Sequence, residues 1–291
     1  MVAAAARACP VCGGRRGRPI WHEDGHRYLR CAACATVWTD ISPADWAAEH
    51  HNVWDDTVLS AETEDFYGRA RERAHEEFLS RIAGRPQRLL DVGCGLGYFL
   101  ARARAAGWQV RGCDTSSPWI EATNERLGAP VASLGELSAA IAPDERFELI
   151  TAWDVVEHVL DPVALLADLA SRLSPGGRIF LRTPNLAYVL PVYALRRRLG
   201  HDVALGPTNH ATYFTSATLR RALARAGLQA RCWPVLAPPQ IETFAPATAP
   251  AGRVVRLKNG YAGAAGRLAE LSHGRAVLGS DLDVVATTVS R

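Results

Sequence analysis

Three glycines at alternate positions follow an apolar segment that ends in an aspartate. Residues 89–100 read Leu-Leu-Asp-Val-Gly-Cys-Gly-Leu-Gly-Tyr-Phe-Leu, and a helix-like run begins at Tyr98. Glycines at this density let the backbone turn sharply and approach a ligand with no side chain in between. The helix that follows directs its N-terminal N–H groups into the same space. The segment therefore predicts a strand, a loop and a helix around a nucleotide-type pocket, at the C-terminal edge of a parallel sheet.

The spacing of these glycines distinguishes between two nucleotide cofactors. A dinucleotide-binding loop reads G-x-G-x-x-G, and its third glycine packs the helix against the strand. Here that position is Tyr98, which argues against NAD, and the alternative without any ligand is a plain glycine-rich turn. The pattern D-x-G-x-G-x-G resembles motif I of the class I S-adenosylmethionine (SAM) methyltransferases. In that family the loop wraps the methionine end of SAM, so the resemblance implies that Asp91 helps to position it. The loop residues expected at the cofactor are Gly93, Cys94, Gly95 and Gly97.

A second acidic residue stands at the place where a ribose is expected. Asp114 ends the second predicted strand, 21 residues after Gly93. A carboxylate there can accept hydrogen bonds from both ribose hydroxyls. NAD-binding proteins share this feature, so it indicates a ribose but does not distinguish SAM from NAD. Thr115 is included in the expected cofactor site. The other role for Asp114, capping the next helix, suits Ser116 and Ser117 better.

Strands and helices alternate along most of the chain. The predicted strands are Arg88–Val92, Trp108–Cys113, Pro130–Ala132, Phe147–Trp153, Arg178–Thr183, Leu228–Leu236 and Asp281–Val289. The predicted helices are Tyr98–Ala106, Ser117–Leu127, Pro162–Leu173 and Ser216–Ala226. Pro175–Gly177 predicts a turn before the fifth strand. The expected fold class is α/β, a doubly wound, Rossmann-like and mostly parallel sheet covered on both faces.

Four of the seven cysteines stand in two pairs near the N-terminus. They are Cys9, Cys12, Cys31 and Cys34, with the spacing C-x2-C-x18-C-x2-C. This spacing is typical of a zinc ribbon. Two such knuckles form a tetrahedral site of four thiolates with no open position, so the zinc is expected to be structural. Pro19–Leu29 predicts a hairpin between the knuckles. His22 and His26 lie within it, and because four cysteines already suffice for the metal, we expect both to face solvent and not to serve as spare ligands.

A later segment carries a further group of functional candidates. Phe147–Pro162 contains Asp154, Glu157 and His158, and Leu173–Asn185 continues the pattern. Both stretches resemble the methyltransferase group that includes ubiquinone-pathway O-methyltransferases and many sugar and natural-product methyltransferases. The resemblance places Asp154 at the cofactor. In the ubiquinone-type relatives, these acidic residues and the Glu-His pair are associated with a divalent metal beside the acceptor hydroxyl. The alternative is that Glu157 and His158 orient the loop by hydrogen bonds, with His158 kept as a catalytic candidate.

A long connection, Leu186–Thr215, departs from a minimal sheet of this kind. Long connections after a parallel strand lie over the active-site edge and often bind the acceptor. The stretch ending in His-Ala-Thr-Tyr-Phe214 resembles a His-x-x-Tyr-Phe element of the same methyltransferase group, in which the histidine of some sugar methyltransferases is the general base. His210 is therefore the first candidate base, since an imidazole titrates near neutrality. The alternative is a histidine that anchors the connection. Arg196–Arg198 either binds a phosphate or is a solvated face.

The resemblance implies methyl transfer from SAM to a small-molecule acceptor by in-line displacement. The acceptor would be a hydroxyl or carbon of a sugar, a polysaccharide precursor or a natural-product intermediate. One alternative is an rRNA or tRNA methyltransferase whose ribbon binds RNA. Residues 1–40 hold six arginines against three carboxylates, and a four-thiolate zinc centre subtracts about two charges, so nucleic acid is not the expected partner. A non-catalytic SAM-binding scaffold is the third hypothesis, against which the intact motif residues argue.

Three regions are expected along the 291 residues. Residues 1–40 form the zinc ribbon, 41–84 a helical linker or cap, and 85–291 the methyltransferase domain with an acceptor-side insertion at 186–215. A helix over Glu62–Ile82 would belong to the cap. No apolar run approaches the roughly 20 residues of a membrane span, and the N-terminus has no signal-peptide core, so a cytoplasmic location and no membrane partner are expected. No pattern indicates an oligomeric state.

Overall fold

The computed structural model describes residues 7–23, 25–50, 68, 71–201, 210–236 and 264–289. The strands are β1 (Gly17–Glu23), β2 (His26–Cys31), β3 (Val37–Thr39), β4 (Arg88–Val92), β5 (Gln109–Asp114), β6 (Ala132–Leu134), β7 (Phe147–Trp153), β8 (Leu173–Pro184), β9 (Thr212–Tyr213), β10 (Leu228–Cys232) and β11 (Asp281–Thr288). The helices are α1 (Pro43–His50), α2 (Glu72–Arg81), α3 (Tyr98–Ala105), α4 (Ser117–Leu127), α5 (Leu137–Ala140), α6 (Pro162–Ser171), α7 (Leu186–Arg198), α8 (Ser216–Arg225) and α9 (264–271).

Seven strands form the main sheet in the order β10-β11-β8-β7-β4-β5-β6. The five strands from β8 to β6 run parallel, and β11 and β10 are added antiparallel at one edge. The prediction of a doubly wound, mostly parallel sheet is confirmed. The direction of strand succession reverses between β4 and β7. In open α/β sheets such a reversal leaves a ligand crevice beyond the carboxyl ends of the two strands.

Two buried cores hold the central strands in place, one on each face of the sheet. Successive side chains of a strand point to opposite faces, so neighbouring residues contribute to different cores. One core includes Leu89, Leu149 and Phe180 of the sheet with Phe78 of α2 and Leu100 of α3. The other includes Leu90, Ile150 and Leu181 with Leu166 of α6 and Leu219 of α8. The ends of β4 and β7 are therefore fixed by packing from both sides.

Strand β8 begins earlier than the sequence predicts. Pro175–Gly177 predicts a turn followed by a strand from Arg178, whereas β8 already starts at Leu173. Its pairing with β7 shifts register between Leu173 and Arg178, so residues 174–177 are an irregularity within the strand. Gly176 has a φ of 77°, in the left-handed region that glycine adopts readily at a turn. The turn signal was correct about local geometry and wrong about the boundary of the strand.

The N-terminal region forms a second sheet, whose last strand comes from far along the chain. Its order is β1-β2-β3-β9, and β1 and β2 form the predicted hairpin. Val37 and Trp38 of β3 pair with Tyr213 and Thr212 of β9, antiparallel. Since β9 belongs to the insertion expected at 186–215, main-chain hydrogen bonds join that insertion to the ribbon.

The ribbon also shares a core with the main domain. Its buried residues Cys9, Val11, Leu29, Cys31 and Trp38 belong to the same hydrophobic cluster as Leu166 and Leu219. His22 is exposed, as expected. His26, by contrast, is largely covered and lies 3.3 Å from a Glu49 carboxylate oxygen of α1. The expectation that both histidines face solvent is therefore wrong for His26.

Some sequence predictions fall partly or wholly outside the described residues, which leave out 51–67, 69–70 and 202–209. The predicted helix Glu62–Ile82 is described in its C-terminal part, which is α2. The segment Ala237–Gly252 is rich in proline and alanine and predicts a loop, and it lies beyond the described ranges altogether. Among the helices that the structure describes, none has the length and apolar character needed to cross a membrane.

Candidate functional site

A cavity of 1180 Å³ opens at the carboxyl ends of the central strands. Small-molecule sites typically measure about 300–1,000 Å³, so this cavity has room for two ligands. The predicted cofactor residues that line it are Asp91, Gly93, Cys94, Gly95, Asp114, Thr115 and Asp154. The two catalytic candidates, His158 and His210, line it as well, and α1 and α2 complete the wall. The structure thus brings the separate sequence motifs to one site.

At two positions of the loop, both the backbone conformation and the lack of room for a Cβ atom require glycine. Gly93 has a φ of 68°, and a Cβ placed there would lie 2.5 Å from a methyl carbon of Val155. Gly97 has a φ of 73° at the N-cap of α3, and its added Cβ would lie 2.6 Å from Cγ2 of Thr123 in α4. L-residues with side chains rarely adopt such angles. Gly97 therefore packs the loop against α4 and, unlike the other predicted loop residues, does not line the cavity.

The Asp91 carboxyl is buried at the end of β4. Its Oδ1 accepts a hydrogen bond from the Thr151 hydroxyl on the neighbouring strand β7, at 2.6 Å. Burial raises the pKa of Asp91 well above its ordinary value, and the charge of Asp114 adds to the rise while the Thr151 bond opposes it. A cationic ligand placed here would lower this pKa again, so the position favours a positively charged group.

Asp114 connects the glycine loop to the next helix. Its Oδ2 accepts the Gly95 N–H at 2.9 Å, and its Oδ1 accepts the Ser116 N–H at 3.0 Å. Ser116 occupies the N-cap of α4 without a side-chain cap bond, so the expectation that its hydroxyl caps this helix is wrong. A carboxylate has about four acceptor sites, and it can hold the loop and accept from a ribose at the same time.

Two cavity residues at the start of α2 were missed by sequence reasoning. Arg71 forms an ion pair with Asp154, and His75 packs edge-on against Trp153 with ring centroids 4.7 Å apart. Burial, followed by the charge of Arg102, lowers the pKa of His75 well below its ordinary value, which favours the neutral imidazole. The segment is rich in arginine and glutamate throughout, and no spacing in it distinguishes the two residues that face the cavity.

Several buried polar atoms around the cavity have no hydrogen-bond partner within the described part of the chain. They are Arg71 Nη1, His75 Nδ1, Trp153 Nε1, Asp154 Oδ1 and both carboxylate oxygens of Glu157. Leaving such a group unsatisfied costs about 1–3 kcal/mol. Their concentration around one cavity indicates a polar ligand that supplies the missing partners.

Asp154 is held in a strained backbone conformation. Its φ is 54°, in the left-handed region, and its N–H donates to the Arg182 carbonyl at 3.0 Å. A non-glycine residue in this region costs on the order of 1–3 kcal/mol and is typical of functional sites. Burial raises the pKa of Asp154, although the Arg71 guanidinium opposes that rise. The strain directs a largely covered carboxylate toward Arg71 and the cavity.

Glu157, His158 and His210 meet at the turn after β7. One ligand-type atom of each lies within 4.8 Å of the others, and the two imidazole centroids are 4.7 Å apart, edge to face. The resemblance instead grouped Asp154 with Glu157 and His158. In the structure His210 completes the group, while Asp154 is paired with Arg71. Such a group can accept a proton or hold a cation.

We expect the buried Glu157 carboxyl to make the stability of the ligand-free protein depend on pH. Burial, followed by the charge of Asp154, raises the pKa of Glu157 well above its ordinary value. The unfolded value is about 4.3, so the stabilisation is fully present below that pH and is lost as pH rises through the folded pKa. We expect Glu157→Gln to raise Tm at pH 8 by about 2–4 °C, and by less at pH 5.

Scanning calorimetry at the two pH values measures this difference. Glu76→Gln, at an exposed position of α2, is the matched control and is expected to leave Tm unchanged. A Glu157→Gln effect that is equal at both pH values, or larger at pH 5, would contradict the assignment of the buried carboxyl.

The four ribbon cysteines converge as the spacing predicts. Cys9 and Cys34 have sulfurs 3.5 Å apart, and so do Cys12 and Cys31. A disulfide would bring the sulfurs to about 2.05 Å. Around a tetrahedral zinc with Zn–S bonds of about 2.3 Å, the sulfurs lie about 3.8 Å apart. The four thiols therefore fit a metal centre and not a pair of disulfides.

The sheet order, the glycine loop after its first parallel strand and the acidic residue after the next define the class I methyltransferase architecture. Comparisons with known proteins agree. A family model described as a methyltransferase domain matches residues 67–232, and the chain belongs to that family. It is a SAM-dependent methyltransferase. The ubiquinone biosynthesis O-methyltransferase of Parvibaculum lavamentivorans is 31% identical over 219 residues, which are 71% of this chain and 81% of that protein.

Two solved structures illustrate the fold. A putative methyltransferase in complex with the Haloferax volcanii Trm112 activator has a TM-score of 0.55 at 18% identity, with 81% of this chain and 97% of that one covered. The O-methyltransferase NcsB1 of neocarzinostatin biosynthesis, solved with SAM and 2-hydroxy-5-methyl naphthoic acid, has a TM-score of 0.53 at 16% identity, with 82% and 60% covered. At these identities the likeness concerns the fold alone.

Proposed function

We propose that this methyltransferase acts on a small molecule, at a hydroxyl or carbon of a sugar, a polysaccharide precursor or a natural-product intermediate. The observation that carries the proposal is one cavity, lined both by the glycine loop with Asp114 and by His158 and His210. Its volume suits a cofactor and a small acceptor together. The ubiquinone biosynthesis O-methyltransferase named above supports this class, since its name refers to a small-molecule pathway.

The chain's own groups would bind the cofactor by complementary charge. SAM brings a methyl group already activated by the sulfonium charge. Asp114 would accept from the ribose hydroxyls, while Arg71, with its unsatisfied Nη1, suits the methionine carboxylate. The buried Asp91 carboxyl and the largely covered Asp154 carboxyl suit the ammonium and sulfonium charges. These contacts would align the methyl carbon and exclude water, the two contributions that in-line displacement needs most.

His210 is the proposed general base. It is 8% exposed, lines the cavity and lies against His158. An imidazole can take the acceptor proton as the acceptor forms its bond to the methyl carbon and the bond between that carbon and the sulfonium sulfur breaks. His158, whose ring packs edge-on against that of His210, is proposed to orient that ring from the neighbouring turn, and the buried Glu157 would stabilise the positive charge that develops there.

A divalent metal held by Glu157, His158 and His210 is the competing role for the same group. The mutual approach within 4.8 Å and the unsatisfied Glu157 oxygens favour it. A metal held by Asp154, Glu157 and His158 is disfavoured because the Asp154 carboxylate is paired with Arg71. Assays after dialysis against EDTA, with and without added Mg²⁺, distinguish the two roles. Unchanged activity supports the base, and activity restored only by Mg²⁺ would establish the metal.

We propose that residues 1–40 form a zinc ribbon, that 41–84 cap the cavity and that 85–291 form the catalytic domain. Trp46 and Arg71, which line the cavity from the middle region, support the cap. Cys31→Ser is expected to reduce bound zinc from about one ion per chain to near zero. It should also expose Trp38, which is 1% exposed and joins Cys31 in one core cluster.

Metal analysis and tryptophan fluorescence measure the two effects. Cys232→Ser, at an exposed cysteine outside the ribbon, is the matched control and should retain its zinc. Full zinc content in the Cys31→Ser protein would contradict the four-thiolate site.

The proposed substrate class is tested by transfer of a labelled methyl group from SAM. The acceptor panel contains 3,4-dihydroxybenzoate, nucleotide-linked hexoses and total bacterial RNA, with SAM alone as the blank. Label in a low-molecular-weight product supports the proposal. Label in RNA alone would overturn it in favour of an RNA methyltransferase. SAM binding without transfer to any member of a broad panel would favour a non-catalytic scaffold.

A further inference from the structure

The second cysteine knuckle leads directly into strand β3. The Thr36 hydroxyl lies 3.1 Å from the Cys34 sulfur, and the Thr36 carbonyl accepts the Cys31 N–H at 2.9 Å. Four residues separate Cys34 from Thr39, the last residue of β3. Strand β3 has three residues, all buried, so a movement of Cys34 at the proposed metal centre would also move Thr39.

Thr39 holds the backbone of the proposed base. Its hydroxyl donates to the His210 carbonyl at 2.6 Å, and its N–H donates to the Ala211 carbonyl at 3.1 Å. Both Thr39 and His210 are buried. Arg7, two residues before Cys9, also donates to the Ala211 carbonyl, at 3.2 Å. Two parts of the ribbon, one beside each cysteine pair, therefore hold one short segment.

The same segment is bound to the turn after β7. The N–H groups of Ala211 and Thr212 donate to the Glu157 carbonyl at 2.8 and 3.1 Å. Tyr213 follows, and its ring contacts those of His210 and of Tyr28 in β2, with centroids 5.7 and 5.4 Å away. The backbone of residues 210–213 thus lies between the ribbon sheet and the turn that carries Glu157 and His158.

We infer that the ribbon is a positioning element for the catalytic histidine, and that Thr39 couples the metal centre to His210. The inference rests on the proposed function of His210 and on the proposed zinc of the ribbon. The fourth strand of the ribbon sheet, β9, belongs to the insertion and follows shortly after His210 in the chain. A sheet that is stabilised by the metal would therefore fix the position of the His210 imidazole. Loss of the metal, or of the Thr39 hydroxyl, frees residues 210–213 while the glycine loop and Asp114, which lie on the main sheet, keep their places.

Thr39→Val removes the hydroxyl with little change in shape, and Thr39→Ser restores it. Three readouts are compared with wild type: amide hydrogen exchange of residues 210–213, imidazole signals in 15N-histidine spectra, and SAM affinity by calorimetry. For Thr39→Val we expect exchange about tenfold faster, equivalent to about 1.4 kcal/mol, shifted His210 ring signals, and a SAM Kd within about twofold of wild type. Zinc-depleted wild type should behave alike, and Thr39→Ser should resemble wild type.

Thr288→Val, at an exposed position of β11, is the matched control and should change none of the readouts. Unchanged exchange and ring signals in Thr39→Val would overturn the coupling. Loss of SAM binding in that variant would overturn it as well, because the effect would then be general unfolding. Failure of the proposed base is separate: it would show as full methyl transfer by a His210 variant, with the exchange result unaffected.

Discussion

Replacing Asp114 by alanine is expected to weaken SAM binding at least about 100-fold. The carboxylate holds the loop through the Gly95 N–H and the start of α4 through the Ser116 N–H. Two ribose hydrogen bonds to the same charged group would be worth about 1.5–3 kcal/mol each, or roughly 10²- to 10⁴-fold in affinity. Calorimetric titration with SAM, and with its demethylated product, measures the loss directly.

Two further variants make that result specific. Asp144→Ala removes an exposed carboxyl from a surface loop and should bind SAM like wild type. Asp114→Asn keeps the size of the side chain and loses the charge, so an intermediate affinity is expected. Wild-type affinity in Asp114→Ala would contradict the assigned place of the ribose. A lower Tm with unchanged affinity would show that Asp114 only stabilises the loop.

Replacing His210 by glutamine is expected to lower turnover by about 10²- to 10⁴-fold while SAM affinity stays within about twofold. The range is the usual contribution of general acid–base catalysis. Glutamine preserves a polar side chain of similar size but cannot take a proton at neutral pH. Thr39 bonds to the backbone carbonyl of residue 210 and not to its side chain, so the substitution leaves that hydrogen bond in place. Single-turnover transfer of labelled methyl and calorimetry separate the chemical step from binding.

His201→Gln is the matched control for this experiment, because His201 is exposed and belongs to the same connection. It should have wild-type turnover and affinity. Normal turnover in His210→Gln would remove His210 from the role of base and leave it as an anchor. A parallel loss of SAM affinity would indicate that the cavity itself had collapsed.

The sequence predicted those parts of the site that depend on short-range patterns. Gly93 and Gly97 stand where backbone angles and close packing exclude a side chain, and this requirement is visible in the spacing alone. The position of Asp114 in the site is predictable because it ends a strand, and parallel strands end at one edge of the sheet. The cysteine pairs predict their own convergence, since each knuckle aims two sulfurs at one point.

The missed features depend on contacts between distant segments. Arg71 and Asp154 are 83 positions apart, and only the packing of α2 against the sheet brings them together. Strand β9 has two residues, too few for any periodic pattern, and it becomes a strand because β3 presents an edge to it. For the same reason, the sequence did not predict that His210, and not Asp154, lies with Glu157 and His158, because His210 is far from both in the chain. Local sequence carries no signal for such pairings.

The arrangement of donor and base is tested most directly by a crystal structure with SAM bound. The ribose is expected on Asp114 and the methionine carboxylate on Arg71. The methyl carbon should then lie within about 6 Å of the His210 imidazole, because an acceptor oxygen between them lies about 3 Å from each. A methyl group that points away from His158 and His210, toward His75 and α2, would contradict the account.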